Sequence, residues 1–157
     1  MSLLRVREAL SAFGLDGRIR EFDCSSATVH EAAQALGTEP HRIAKTLSFH
    51  LDDGVILVVM AGDAKVDNKK YKATFGAKAR MLSAEEVEPL TGHRVGGVCP
   101  FALPACVRVY LDRSLPDTET IYPAAGTPSS AVALTLPELT RASGAVGTVD
   151  VTHTDAV

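Results

Sequence analysis

Residues 46–61 constrain the fold of this chain more than any other stretch. Thr46–Leu51 alternates, with Leu47, Phe49 and Leu51 on one side, whereas Val55–Ala61 is apolar throughout. Between them stands Asp52-Asp53-Gly54, a strong turn signal, so the stretch predicts a hairpin of one half-exposed and one central strand. Further strands are expected at Val107–Leu111, Thr120–Tyr122, Ala131–Thr135 and Thr148–Val151. Helices are expected at Leu3–Phe13, after a capping box of Thr28 and Glu31 that runs to Gly37, and over Asp67–Phe75 before Gly76. Ser83 and Glu86 form another capping box, whose helix stops near Pro89 or Gly92, and Leu136–Ala142 reads as a last short helix. A short turn at Pro40–Ile43 leads into Lys45. Helices and strands are intermixed, but the hairpin is too tight for a regular βαβ series. The expected class is α+β, one domain over residues 1–157, with a mixed, largely antiparallel sheet.

Composition narrows the function. A chain of 157 residues that is 46% hydrophobic and 22% charged can build a sizeable core, which excludes wholesale disorder. The formal charge of −3 argues against coating nucleic acid by bulk electrostatics, and DNA is not an expected partner. Aromatics at 5%, with no Trp, argue against a stacking platform for single strands. The run Val55–Ala61 is too short to span a bilayer, and the opening residues lack the apolar stretch of a signal peptide, so a cytoplasmic protein without membrane contact is expected. Three cysteines (Cys24, Cys99, Cys106) and five histidines show no metal-ligand spacing, so neither a metal nor an organic cofactor is expected.

The densest local signal is Gly96-Gly97-Val98-Cys99-Pro100-Phe101. Paired glycines allow close backbone approach and can aim successive N–H groups at an anion or developing oxyanion, although alone the pair reads first as a tight turn. Lys45 falls at the entrance of the first hairpin strand, where an ammonium could hold a phosphate or polarise a carbonyl, or simply be solvated. Gly126-Thr127-Pro128-Ser129-Ser130 is a loop of small residues able to line a pocket, or a plain connection. Cys99 would need a base to act as a nucleophile; His93 is the nearby candidate, and a buried structural thiol is the favoured alternative. Residues 65–80 carry six cationic residues (Lys65, Lys69, Lys70, Lys72, Lys78, Arg80) against the single acid Asp67, either a solvated face or a phosphate-contacting patch.

Taken in order, A-K-T-L-S-F (44–49), A-G-D-A-K-V-D-N-K-K-Y-K (61–72), T-G-H-R-V-G-G-V-C-P-F (91–101), V-Y-L-D-R-S-L (109–115) and Y-P-A-A-G (122–126) resemble the YbaK / prolyl-tRNA-synthetase-associated family. The likeness spans roughly residues 25–152. It implies a mixed sheet curled around a pocket for the aminoacyl end of tRNA, and hydrolysis of mischarged aminoacyl-tRNA. By the resemblance, Lys45 is the functional lysine and Gly96 and Gly97 lie against the scissile carbonyl. Thr46, Val98, Cys99, Pro100, Gly126, Ser129 and Ser130 would line the substrate site, and Lys65, Lys69, Lys70 and Lys72 would contact tRNA. Aminoacyl-tRNA is the implied partner, with a prolyl-tRNA synthetase beside it; a homodimer is compatible with the sequence but not demanded by it. Where several relatives have a charged residue after the pocket glycine, this chain has Thr-Pro-Ser-Ser-Ala. The expected substrate is tRNA carrying a small amino acid (Ala, Ser, Thr or Cys), tRNA(Pro) included. The competing readings are a non-catalytic tRNA- or synthetase-binding module and a Cys99-dependent thiol hydrolase.

Overall fold

The computed structural model describes residues 2–23, 28–52 and 54–154; Cys24, and Asp53 of the expected turn, lie outside them. In chain order the elements are α1 (Ser2–Ser11), β1 (Ile19–Glu21), α2 (Val29–Leu36), β2 (Ile43–Leu51), β3 (Gly54–Ala61) and β4 (Ala64–Val66). They continue with α3 (Asn68–Phe75), α4 (Ala84–Thr91), β5 (Arg108–Asp112), β6 (Tyr122–Pro123), β7 (Ser130–Val132), α5 (Leu136–Ser143), β8 (Gly147–Val149) and β9 (Thr152–Thr154).

The expected hairpin is the spine. β2 and β3 pair antiparallel over eight positions, from Ala44 against Ala61 to Leu51 against Gly54. Three parallel pairs extend it, giving a five-stranded sheet of order β6-β2-β3-β5-β8. Antiparallel β1–β7 and β4–β9 ladders complete an α+β fold with a mixed sheet. Bridges from Ile121 to Leu134 and Ala124 to Ala131 link the β6 edge to β7, so the sheet curls past β2 instead of ending there. Ile56–Met60 of β3 are wholly buried because both sheet faces are covered. Leu57 and Val59 pack with Val6, Leu10 and Leu139 on one face, and Ile56, Val58 and Met60 with Phe49 and Tyr71 on the other.

Capping holds the helices. The Thr28 hydroxyl accepts from the Glu31 N–H at 3.1 Å, and the Asp67 carboxylate from the Lys70 N–H at 3.0 Å. The Ser83–Glu86 box opens α4, which runs through Pro89 to Thr91. Asp112 explains the 109–115 motif structurally: this buried carboxylate accepts from Ser114 N–H (2.9 Å), Val151 N–H (2.8 Å) and the Thr152 hydroxyl (2.7 Å), tying β5 to the chain entering β9.

Several boundaries differ from the sequence expectation. α1 stops at Ser11, leaving Phe13 exposed in the following turn. β2 begins at Ile43, so Lys45 lies inside a strand and not at its entrance. The expected strand over Thr148–Val151 is split into β8 and β9 because Asp112 grips the residues between them. β1 and β4, only three residues each, carry no periodic signal and were not expected.

Candidate functional site

A cavity of about 430 Å³ runs along β2. Its floor includes Ala44, Lys45, Thr46, Leu47 and Ser48, and its roof Gly96, Val98, Thr127, Pro128 and Ser130. At one end α2 closes it, where Val29, Ala32 and Leu36 pack with Phe22, Ile43, Tyr122 and Ala131. The guanidinium groups of Arg20 and Arg42 lie 5.9 and 5.8 Å from the Tyr122 ring centroid at this end. At the other end the wall is Met81, Leu82, Ala84 and Val87, held by the Leu82 N–H donating to Ser48 O at 3.1 Å.

Lys45 is half-buried, and its ammonium donates to the Ala64 carbonyl. Burial lowers its pKa, with nearby Asp63 opposing and Lys65 adding to the shift. Beside it, the Thr46 hydroxyl is buried without a hydrogen-bond partner among the described residues.

The roof is built from two loops in backbone contact. Gly97 is buried, and a Cβ there would come within 2.7 Å of Gly126 O and 2.8 Å of Thr127 Cα. Gly126 has φ +98°, and a Cβ on it would meet the Ser2 hydroxyl at 2.7 Å. Only glycine fits either place. The Gly97 N–H donates to Arg94 O at 2.9 Å, so the roof N–H groups left for a ligand belong to other loop residues, of which Gly96 and Val98 line the cavity. On the facing loop the Thr127 and Ser130 hydroxyls lie 2.7 Å apart.

His93 locks this roof from behind. It is buried, and its Nε2 sits 2.7 Å from Phe101 O, so Nε2 carries the proton and Nδ1 accepts from the Ser2 hydroxyl. Burial lowers its pKa despite the Phe101 carbonyl, which favours the cation, and Arg5 lowers it further. Arg5 also donates to Gly92 O. Helix α1 therefore contacts both loops of the roof, through Gly92–His93 and through Gly126, a role its sequence pattern did not signal.

The expected site residues divide accordingly. Lys45, Thr46, Gly96, Val98 and Ser130 reach the cavity wall; Gly97 and Gly126 shape it by contact with each other. Pro100 is buried and Ser129 half-buried, and neither is among the lining residues. The Ser129 carbonyl accepts from Phe22 N–H at 2.8 Å, tying the loop to the chain leaving β1. Cys99 is fully buried, its sulfur 3.5 Å from His93 Nε2, and burial pushes its thiol up to about 12. A thiol so placed is neither ionised nor accessible, which removes the thiol-hydrolase reading. Among the lysines, Lys70 is committed to Asp150 (3.1 Å) and Thr152 O (2.8 Å), and Lys65 lies in β4 opposite His153. Lys69 and Lys72 instead join Asn68, Lys78 and Ala79 around a second, basic concavity of about 430 Å³. Sequence reasoning missed the α2 wall, Tyr122, Met81 and Val95; the apolar spacing of Val29, Ala32 and Leu36 was the available signal for the first.

Among the described residues no helix is long and apolar enough to cross a membrane, and no group of three or more His, Cys, Asp or Glu could hold a metal ion.

Residues 25–142 match the aminoacyl-tRNA editing domain family. The chain is 50% identical over 152 residues to the uncharacterized protein YwhH of Bacillus subtilis, covering 96% of this chain and 97% of that one. It is 34% identical over 89 residues to the proline–tRNA ligase of Caldicellulosiruptor bescii, 56% of this chain but 15% of the ligase. A crystal structure described as a candidate trans-editing enzyme for prolyl tRNA synthetase superposes with a TM-score of 0.87 at 33% identity, over 97% of both chains. The curled mixed sheet, the ordered motifs along it and these relatives agree: the chain belongs to the aminoacyl-tRNA editing domain family, the prolyl-tRNA-synthetase-associated group.

Proposed function

We propose that this protein hydrolyses the ester of tRNA mischarged with a small amino acid, of the Ala, Ser, Thr or Cys class, with tRNA(Pro) among its carriers. The observation that carries this reading is the meeting of Lys45 and the Gly96–Val98 roof across one cavity. An aminoacyl ester is already activated, so orientation and oxyanion stabilisation suffice without a covalent nucleophile. Lys45 exchanges the Ala64 carbonyl for a phosphate or ribose oxygen of the acceptor end. The N–H groups of Gly96 and Val98 face the carbonyl oxygen as it becomes an oxyanion. Water attacks the carbonyl carbon, the acyl–oxygen bond breaks, and the proton passes to the departing ribose oxygen; a neighbouring ribose hydroxyl can relay it.

Small side chains fit because Ala32, Ala124 and Ala131 stand at the closed end. Such a wall excludes bulk but separates neighbours differing by a methylene by only about 1–3 kcal/mol, so several small aminoacyl groups are accepted. The acceptor stem, or a prolyl-tRNA synthetase holding it, supplies further discrimination. Lys69, Lys72 and Lys78 are the stem-contacting group, with Lys65 on strand β4 and Lys70 withdrawn into its pair with Asp150.

The test is deacylation of Ala-, Ser-, Thr- and Cys-tRNA by the wild type and by Lys45→Ala. Turnover that falls roughly 10²–10³-fold in the variant is expected, the usual cost of one transition-state donor. Unchanged turnover in a folded Lys45→Ala protein sinks the role of Lys45. No turnover by the wild type, with tRNA still bound, establishes the non-catalytic module instead.

A further inference from the structure

The cavity has more room than a small aminoacyl group requires, and its two ends differ in kind. A volume of about 430 Å³ suits a ligand of drug size more than a side chain of one or two carbons. Ile43 and Ser48 mark its ends on β2, five residues and so roughly 17 Å apart. The α2 end is closed, with Ile43, Tyr122 and Ala131 all buried. At the other end Met81 is 52% exposed, and Val95, which precedes the roof residue Gly96 and also lines the cavity, is 61% exposed. Single exposed apolar residues are ordinary on a protein surface. Two large ones on the rim of a single cavity are a different matter.

Resting on the deacylase reading, we propose that Met81 and Val95 form the subsite for the terminal nucleobase of the tRNA, and that the acceptor end enters from their side. The flat, weakly polar face of a purine is what an apolar rim can hold, by burial of apolar surface without any hydrogen-bond readout. With the base there, the ribose ester lies at Lys45 and the Gly96–Val98 roof in mid-cavity, and the aminoacyl side chain points to the closed end. The chain itself supports this direction. Met81 lies three residues beyond Lys78, hence within about 11 Å of it along the backbone. Lys78 lines the basic concavity with Lys69 and Lys72, and none of the three has an acidic partner among the described residues. A strand leaving the rim at Met81 therefore meets these unpaired ammonium groups next, where its phosphates need them.

The test is binding of 3′-deoxy-3′-alanylamido-adenosine, whose amide resists hydrolysis, compared with the same amide on a ribose lacking the base. Calorimetric titration of the full chain should show the base-bearing compound bound about tenfold more tightly, the gain from burying roughly 55 Å² of apolar surface at about 25 cal/mol per Å². A Met81→Ser/Val95→Ser protein should lose that preference and bind the base-free compound as before, whereas Met81→Leu should keep it. Both residues are exposed, so thermal unfolding should barely move. A preference that survives in Met81→Ser/Val95→Ser, or that disappears instead in Tyr122→Ala at the closed end, overturns the proposal. So does a wild type that does not distinguish the two compounds. Lys45-dependent turnover alongside any of these results leaves the deacylase reading standing while removing the base subsite.

Discussion

The roof of the cavity and the basic segment 65–81 lie on the same protein but are built on opposite plans. The roof is held by backbone packed on backbone, Gly97 against Gly126, and by a buried histidine with both ring nitrogens engaged. The basic segment presents Lys69, Lys72 and Lys78 to solvent, with no ion pair to them among the described residues. Positioning groups for catalysis must lose their freedom before the substrate arrives, whereas groups that collect a polyanion work by charge and tolerate motion. The contrast predicts that roof substitutions act on chemistry and folding together, and basic-segment substitutions on affinity and salt response alone.

The sharpest way to break this contrast is Gly97→Ala. Its Cβ would stand 2.7 Å from a backbone carbonyl that has no flexible end to move, so the two loops must part. Deacylation should be lost and the unfolding midpoint should fall; an active Gly97→Ala protein would show that the roof is not rigid. Next in size is His93→Leu, which strands the Phe101 carbonyl and the Ser2 hydroxyl. A loss of about 1–3 kcal/mol of stability is expected for such orphaned groups. At a temperature where both proteins are folded, kcat should drop with KM little changed, and His93→Gln should recover part of it. A rise in KM alone would place His93 outside the positioning of the roof.

Replacing Lys69, Lys72 and Lys78 together with Ala should leave kcat intact and flatten the salt dependence of tRNA binding. The slope of log K against log [salt] should shrink by roughly two to three, at about 0.7–0.9 for each phosphate contact removed. An unchanged slope would return these lysines to the status of a solvated face. The smallest effect concerns the thiols. Cys99, raised to about 12, should resist alkylation in the folded protein, while exposed Cys106 reacts without loss of activity. Inactivation matched by labelling at Cys99 would contradict the burial described above.

What the sequence revealed follows from how local each feature is. The hairpin, the Ser83–Glu86 capping box and the glycine stops are encoded within a few residues and were legible. The expected Thr28–Glu31 box forms only its N-cap half, the Glu31 carboxylate accepting from the Thr28 hydroxyl and not from its backbone N–H. Lys45 and the Gly96-Gly97 pair were legible because they stand in ordered motifs. The three-residue strands β1 and β4 were not, since their pairing partners, β7 and β9, lie far along the chain. The same holds for the α1 clamp: nothing in Ser2 or Arg5 announces His93 or Gly92 some ninety residues away. Equally, Lys69, Lys70 and Lys72 look alike in sequence, and only folding shows that Lys70 is taken by Asp150 while Lys69 and Lys72 are not.

The contact of Gly97 with Gly126 also bears on how this pocket could diversify. Two positions that admit no side chain cannot be used to reshape a binding site, in nature or by design. Variation in substrate choice is thereby displaced onto residues whose side chains already reach the cavity, notably Val29, Ala32 and Leu36 of α2 and Thr127 and Ser130 opposite. A library confined to those five would explore new specificities while leaving the reacting geometry untouched.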